Sequence, residues 1–126
     1  MNCAMHEVGI IESALTVIRR EAHAHGASRV DRVVMRIGAI SGVEPEALRF
    51  AFEAVTPGGI AEGAVLEIEL VPARVHCRAC AADFTVESGF IFACPHCQAL
   101  SGDVRSGREL ELARLEFSTP ASNAHA

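Results

Sequence analysis

The sequence lacks the features that assign a protein to a membrane, a secretory route or a nucleic acid. It contains no apolar run near the roughly 20 residues that span a bilayer. No basic segment precedes its first apolar residues, and Glu7 and Glu12 interrupt them, so we expect no secretory signal. All 11 basic residues are arginine, and the formal net charge of -5 repels phosphate backbones and anionic membranes. These absences predict a cytoplasmic protein.

The composition that remains predicts one folded domain with at most a small appended module. The chain has 126 residues, of which 50% are hydrophobic and 21% are charged, which is enough apolar material for a packed core. Four of its 5 cysteines form two tight pairs. In a protein that is not secreted, this spacing favours reduced thiolates and a metal over disulfides.

Apolar residues at helical spacing predict an amphipathic helix near the beginning of the chain. This helix is expected to end at Gly26, after two histidines, His23 and His25, which suit the negative end of the helix dipole and are expected to face solvent. The stripe of apolar residues consists of Val8, Ile11, Leu15, Ile18 and Ala22.

The next segments predict strand, helix and strand. Alternating residues indicate strands over 30–37 and 65–71, and Pro45 opens a helix with Leu48, Phe52 and Val55 facing inward. A last strand over 109–117 is expected to return to the first sheet. The pattern predicts an α+β fold in which two helices pack on a small mixed β-sheet, with an inserted zinc-ribbon-like module.

The domain boundaries follow from this pattern. We expect an α/β domain formed by 1–73 and 109–117, a metal-binding module over 74–108 with short β-like pieces around Phe84 and Phe92, and a flexible tail over 118–126. So short a module can bury little core, and a metal must therefore organise it.

The cysteine pairs Cys77, Cys80 and Cys94, Cys97 predict a structural zinc site. Two residues within each pair let a tight turn present both sulfurs to one ion, and 13 residues separate the pairs, slightly fewer than in the common four-cysteine pattern. A closed shell of four sulfurs leaves no position for a substrate. Iron in a similar site is the main alternative.

Three further residues could donate to a metal, two beside these cysteines and one near the beginning of the chain. His76 and His96 are interpreted as neighbours that make no metal bond, because four sulfurs already satisfy the ion. Cys3 has no partner at the same spacing and is interpreted as a free thiol.

Several motifs follow one another in a fixed order over about residues 5–117. They are Met5-His6-Glu7, the strand ending Ile37-Gly38, the turn Gly42-Val43-Glu44-Pro45-Glu46, Phe50-Ala51-Phe52-Glu53, the two cysteine pairs and the closing Glu109-Leu110 strand. In this order they resemble the motifs of the HypA family, the nickel metallochaperones of nickel–iron hydrogenase maturation.

This resemblance implies an accessory protein that binds nickel(II) and passes it, with a nickel-inserting GTPase of the HypB type, to the hydrogenase large subunit. It implies that nickel is held at Met5, His6 and Glu7 by a terminal amine, backbone amides and the imidazole. Such nitrogen donors form fused chelate rings in a plane, a geometry that nickel(II) accepts readily, while thiolates take zinc. The recipient, hydrogenase or urease, stays open.

The amine can join these chelate rings only if the native chain begins at Met5, which we expect for that reason. A chain beginning at Met1 leaves His6 with weaker donors or with the Cys3 thiolate. Glu44, in the turn before the second helix, is interpreted first as a helix cap.

Two other functions are weaker interpretations of the same residues. A zinc-ribbon nucleic-acid or transcription module needs clustered positive charge, yet residues 74–108 carry only four arginines against three acidic residues. For an enzyme, the sequence presents no nucleophile–base pair, no open metal shell and no phosphate-binding glycine loop. We therefore expect no enzymatic activity.

Overall fold

The computed structural model describes residues 3–86 and 91–120, with side chains from residue 6 onward. Within these ranges the chain forms two helices and six strands in the order α1, β1, α2, β2, β3, β4, β5, β6. The α+β class predicted from the sequence is confirmed. The described residues include no helix with both the length and the apolar character needed to cross a bilayer.

Helix α1 (Cys3–Ala24) buries the apolar stripe that its periodicity predicts. Ile11, Leu15, Ile18 and Ala22 are each at most 3% exposed. The stripe begins one position earlier than expected, since Glu7 is buried and Val8 only half-buried. After α1, Gly26 takes a positive φ of 66°, and the Ala27 N–H bonds the Ala22 carbonyl at 2.9 Å. Glycine adopts this conformation without steric cost, so it ends the helix here.

Helix α2 (Pro45–Val55) begins as the sequence predicts, with proline at its first position. Glu44 is the N-cap, and its carboxylate accepts a hydrogen bond from the Glu46 N–H at 3.3 Å. Leu48, Ala51 and Phe52 are buried, and α2 packs against α1. The predicted capping role of Glu44 is therefore confirmed.

Each of two sheets contains three strands. The first has the order β2-β1-β6 and is formed by β1 (Arg29–Gly38), β2 (Val65–Val71) and β6 (Leu110–Ser118). The return of the last strand to the first sheet is confirmed. The alternation over 65–71 places Leu70 on the same face as Leu66 and Ile68, yet Leu70 is 65% exposed, near the end of a strand at the sheet's edge.

The second sheet has the order β4-β3-β5 and is antiparallel. Its strands are β3 (Ala73–Cys77), β4 (Ala82–Val86) and β5 (Val104–Ser106). The predicted β-piece around Phe84 is part of β4. Of the piece predicted around Phe92, Phe90 lies outside the described residues, and Ile91 and Phe92 are not in a strand. Ala93 instead forms an isolated bridge with Leu100.

The fold divides into two compact units over the residues that the structure describes. The helical unit comprises Met1–Met35, Glu44–Ile68 and Leu112–Ala126, and the cysteine unit comprises Arg36–Val43 and Glu69–Glu111. The cysteine unit thus takes in the module predicted over 74–108 and further residues on both sides of it. Of the predicted tail, Ser118 closes β6, and 121–126 lie outside the described residues.

Candidate metal centre

The cysteine unit brings four sulfur atoms together. The Sγ atoms of Cys77, Cys80, Cys94 and Cys97 all lie within 4.8 Å of one another. The Cys77–Cys97 distance is 3.6 Å and the Cys80–Cys94 distance is 3.8 Å. A tetrahedral ion with sulfur ligands at about 2.3 Å places those sulfurs about 3.8 Å apart. The spacing therefore fits a four-sulfur metal site.

Two tight turns produce this arrangement. Cys77 ends β3, and its pairing with Ala82 closes the first turn as a hairpin. In the second turn, the Gln98 N–H donates to the Cys94 carbonyl at 2.8 Å. The residues after the second cysteine of each pair, Ala81 and Gln98, have positive φ values of 54° and 68°. This left-handed backbone, which costs a non-glycine residue about 1–2 kcal/mol, points the sulfurs of each pair toward one ion.

The hydrogen bonds in this cluster separate the thiols by acidity. The Cys97 backbone N–H directs a hydrogen bond to the Cys94 sulfur and lowers the pKa of Cys94 to about 6. The Cys97 and Cys94 side chains raise the pKa of Cys80 to about 12. The thiolate of Cys94 is thus stabilised, while deprotonation of Cys80 beside it is disfavoured. A divalent cation removes that opposition, since a coordinating thiol is deprotonated outright.

The donor set and its surroundings fit zinc. Cys77 and Cys94 are buried, and Cys80 and Cys97 are exposed, so one side of the centre faces solvent. Four thiolates in a tetrahedron are the usual shell of structural zinc and leave no coordination position for water. An ion bound by these four sulfurs would hold the two turns together.

The two neighbouring histidines have other surroundings. The His76 ring bonds the Asp83 carboxylate, with Nδ1 and Oδ1 2.7 Å apart, and this contact lowers the pKa of Asp83. His96 is exposed on the second turn. Neither histidine belongs to the group of four metal-binding side chains identified among the described residues.

The predicted nickel residues lie at the beginning of α1, in the helical unit. The motif is part of the helix, which starts at Cys3, although the predicted apolar stripe begins only at Val8. His6 is exposed, Glu7 is 1% exposed, and the side chain of Met5 lies outside the described residues. The imidazole of His6 is therefore accessible to a metal from solvent.

Sequence reasoning missed the burial of Glu7 and its contact with the next helix. Its Oε2 accepts a hydrogen bond from the Glu44 backbone N–H at 3.1 Å. The signal was present in the spacing, because Glu7 stands four residues before Ile11 and eight before Leu15, on the same face of the helix. From sequence alone, a carboxylate at the beginning of an apolar stripe is predicted to be exposed, because no hydrogen-bond donor for a buried carboxylate is evident.

The fold and the cysteine cluster together define a small α+β protein with a four-sulfur metal centre. A family model described as "Hydrogenase/urease nickel incorporation, metallochaperone, hypA" matches residues 5–117. The chain belongs to this HypA family of metallochaperones.

Individual relatives agree with this assignment. The chain is 46% identical over 112 residues to the hydrogenase maturation factor HypA of Picosynechococcus sp.. This alignment covers 89% of this chain and 98% of the relative. It is 42% identical over 112 residues to the factor of the same name from Acidithiobacillus ferrooxidans, with the same coverage of both chains.

Two solved structures have the same fold. The solution structure of the Ni metallochaperone HypA from Helicobacter pylori aligns with a TM-score of 0.62 at 24% identity, and covers 90% of this chain and 97% of its own. A second solution structure of a HypA protein aligns with a TM-score of 0.60 at 26% identity, and covers 90% and 96%.

Proposed function

We propose that this protein binds nickel(II) at Met5, His6 and Glu7 and delivers it for the maturation of nickel–iron hydrogenase. The observation that carries the proposal is the family match over residues 5–117, which includes both this motif and the two cysteine pairs. The exposure of His6 supports it, because cargo must enter and leave from solvent.

The donors at the motif suit nickel. A terminal amine, two deprotonated amides and an imidazole surround nickel(II) in a plane and satisfy it without sulfur. In a chain that begins at Met5, the amides of His6 and Glu7 lie in the first turn and have no acceptor within the helix. Planar chelate rings nevertheless do not match helical backbone angles. Nickel binding at this motif therefore requires the first turn of α1 to unwind.

Zinc has a separate role in this proposal. Cys77, Cys80, Cys94 and Cys97 hold it as a structural ion, since their closed sulfur shell excludes a transported metal that must be released. The division of donors, nitrogen for nickel and sulfur for zinc, keeps the two metals apart in one small chain.

The proposed partners follow from delivery to an enzyme precursor. We propose that the protein acts in the cytoplasm with a nickel-inserting GTPase of the HypB type and with the hydrogenase large subunit. Nickel-loaded protein should activate a nickel-free large subunit when the GTPase and GTP are present, and His6→Ala should fail to do so. Transfer to a urease precursor in the same assay identifies the other recipient that the family description names.

Nickel titration of the zinc-loaded protein tests the binding site. The wild-type chain should bind one nickel, and His6→Ala should lose that binding with its zinc content and helical circular dichroism unchanged. His23→Ala is the matched control, because His23 is an exposed histidine on the same helix. Retained stoichiometric binding by His6→Ala would refute this site, and the other histidines, His23, His25, His76 and His96, would be tested next.

A further inference from the structure

The carboxylate of Glu7 is buried but only half satisfied. The residue is 1% exposed and heads the stripe that continues with Ile11 and Leu15. Its Oε2 accepts the Glu44 N–H at 3.1 Å. Its Oε1 is buried and has no hydrogen-bond partner among the residues that the structure describes.

This arrangement is a poor way to stabilise a fold. Removing a carboxylate from water is costly unless its oxygens are hydrogen-bonded, and here one of the two is not. An apolar side chain would continue the stripe of Ile11 and Leu15 without that cost. A half-satisfied buried group therefore calls for another explanation.

The hydrogen bond joins the predicted nickel motif to the beginning of α2. Glu44 is the N-cap of α2, and Pro45 after it has no N–H to offer. The Glu46 N–H is already taken by the Glu44 side chain. The Glu44 N–H, at the positive end of the α2 dipole, is thus a donor available to a carboxylate from α1.

Glu7 and His6 are adjacent in sequence and opposite in environment. The Glu7 side chain is held in the helical unit, while the His6 ring stands in solvent. When the first turn of α1 unwinds, a side chain fixed at Glu7 limits unwinding to the residues before it. The backbone nitrogens then remain in a narrow range of positions, and a preorganised site loses less conformational freedom on binding.

We propose that Glu7 is a positioning residue for nickel, and that its carboxylate anchors the motif to the Glu44 N–H while the preceding residues rearrange around the metal. This inference rests on the proposed function. It assigns the Glu7 side chain a role that is separate from any metal bond made by its backbone amide.

Four variants test the anchor by nickel affinity in the zinc-loaded protein. Glu7→Ala removes the acceptor, and Glu7→Asp shortens it by one methylene, so both should bind nickel about tenfold more weakly. Glu7→Gln retains a carbonyl oxygen for the Glu44 N–H and should stay within about threefold of wild type. Ile11→Val, one turn further along the same stripe, should lower the melting temperature with no change in nickel affinity.

Hydrogen exchange at the Glu44 amide gives a second readout that needs no variant. The anchor predicts that this amide stays protected when wild-type protein is loaded with nickel. Loss of its protection on loading would overturn the proposal, even if the Glu7 variants fail to fold.

The outcomes separate this inference from the proposed function. Loss of nickel in His6→Ala with wild-type affinity in Glu7→Ala and Glu7→Asp overturns the anchor alone. Equal losses of affinity in Ile11→Val and Glu7→Ala at matched melting temperature also overturn it, because they would indicate a general effect of stability. A wild-type chain that binds no nickel overturns both proposals.

Discussion

The two units of this protein are stabilised by different means. The helical unit contains both helices and buries large aliphatic side chains from α1, α2 and β1, among them Ile11, Ile18, Val33 and Leu48. The buried cluster of the cysteine unit consists of Val75, Cys77, Phe84 and Cys94. Two of these four residues are the predicted zinc ligands, so much of that small core exists to hold a metal.

The difference supports the proposed assignment of nickel to the helical unit and zinc to the cysteine unit. A unit with its own apolar core can place a metal site at its surface and release the ion without unfolding. A unit whose core includes its ligands loses its fold with its ion, because metal-binding free energy is folding free energy there. A transported ion suits the first arrangement and a structural ion the second.

The sharpest test of this comparison is removal of a zinc ligand. Cys94→Ala should release zinc and abolish hydrogen-exchange protection in β3, β4 and β5, since binding of structural zinc contributes about 10–16 kcal/mol in zinc-finger peptides. Circular dichroism of the helices should persist, because α1 and α2 both belong to the helical unit. Zinc content by mass and exchange by residue measure the two effects.

Cys3→Ala is the control for that experiment, because Cys3 has no partner cysteine at the spacing of the two pairs. It should retain zinc and all protection. A Cys94→Ala chain whose β3–β5 amides remain protected without metal would show that the cysteine unit folds by its apolar contacts alone.

A cavity in the helical unit should have a smaller effect that does not depend on metal. Leu48 is 0% exposed on α2, and Leu48→Ala should lower the free energy of unfolding by about 2–5 kcal/mol. Denaturant titration followed by helical circular dichroism measures it, which matters because the chain has no Trp or Tyr for fluorescence. The same decrement should be found with and without a zinc chelator.

Phe50→Ala serves as the matched control on the same helix. Phe50 is 69% exposed, and a surface substitution of this kind usually changes stability by less than about 0.5 kcal/mol. If a chelator erased the Leu48→Ala decrement, the helical unit would depend on zinc and the comparison would fail.

Sequence periodicity predicted most of the helices and strands, although burial departs from it in β1, where Val34 is buried as well as Val33 and Met35. The stripe of α1, the proline that opens α2 and the alternation in β1 each depend on local spacing, which the sequence states directly. The cysteine pairs were equally easy to interpret, since two cysteines in one tight turn commonly bind a metal. Their convergence within 4.8 Å follows from that spacing.

The features that sequence reasoning missed depend on partners distant in the chain. The burial of Glu7 requires the backbone N–H of Glu44, 37 positions away, which no local pattern announces. The exposure of Leu70 depends on its position in an edge strand, which the alternation of β2 does not reveal. The His76 contact with Asp83 arises from pairing of β3 with β4, which places these two residues opposite each other.

The start of the chain should decide which donors form the proposed nickel site in the helical unit. A chain beginning at Met5 places its amine beside His6, and its nickel affinity should rise with pH as the amine and amides lose their protons. A chain beginning at Met1 should bind more weakly and, where Cys3 contributes, give a sulfur-to-nickel absorption band. Neither chain should require nickel to fold, and bound nickel should stabilise it only by mass action.

Titrations of the chains beginning at Met1 and Met5 measure this difference, with Cys3→Ala in the longer chain as the control. The band should disappear in that control. Equal affinities and identical spectra for all three chains would show that the terminal amine takes no part in binding.

The smallest predicted effect is the loss of stability in acid, which should occur at a different pH in each unit. The Ser118 hydroxyl donates to Asp31, and this hydrogen bond, with help from Arg29, lowers the pKa of Asp31 below its ordinary 3.8. Because the pKa is lower in the folded state, the stabilising contribution is present above the unfolded value and is lost as pH falls through the folded one. The stability difference between wild type and Asp31→Asn, followed by helical circular dichroism, should therefore be constant near neutrality and shrink below about pH 4.

The cysteine unit should fail at a higher pH, because protons compete with zinc for the thiolates before Asp83, whose pKa is also lowered, can titrate. Asp83→Asn is the matched substitution there, and zinc release rather than carboxylate protonation should set its acid transition. One acid titration should therefore show two transitions, in which each unit loses its structure at its own pH. If both units lost structure at the same pH with zinc still bound, acid unfolding would be a single event and the division into two separately stabilised units would be wrong.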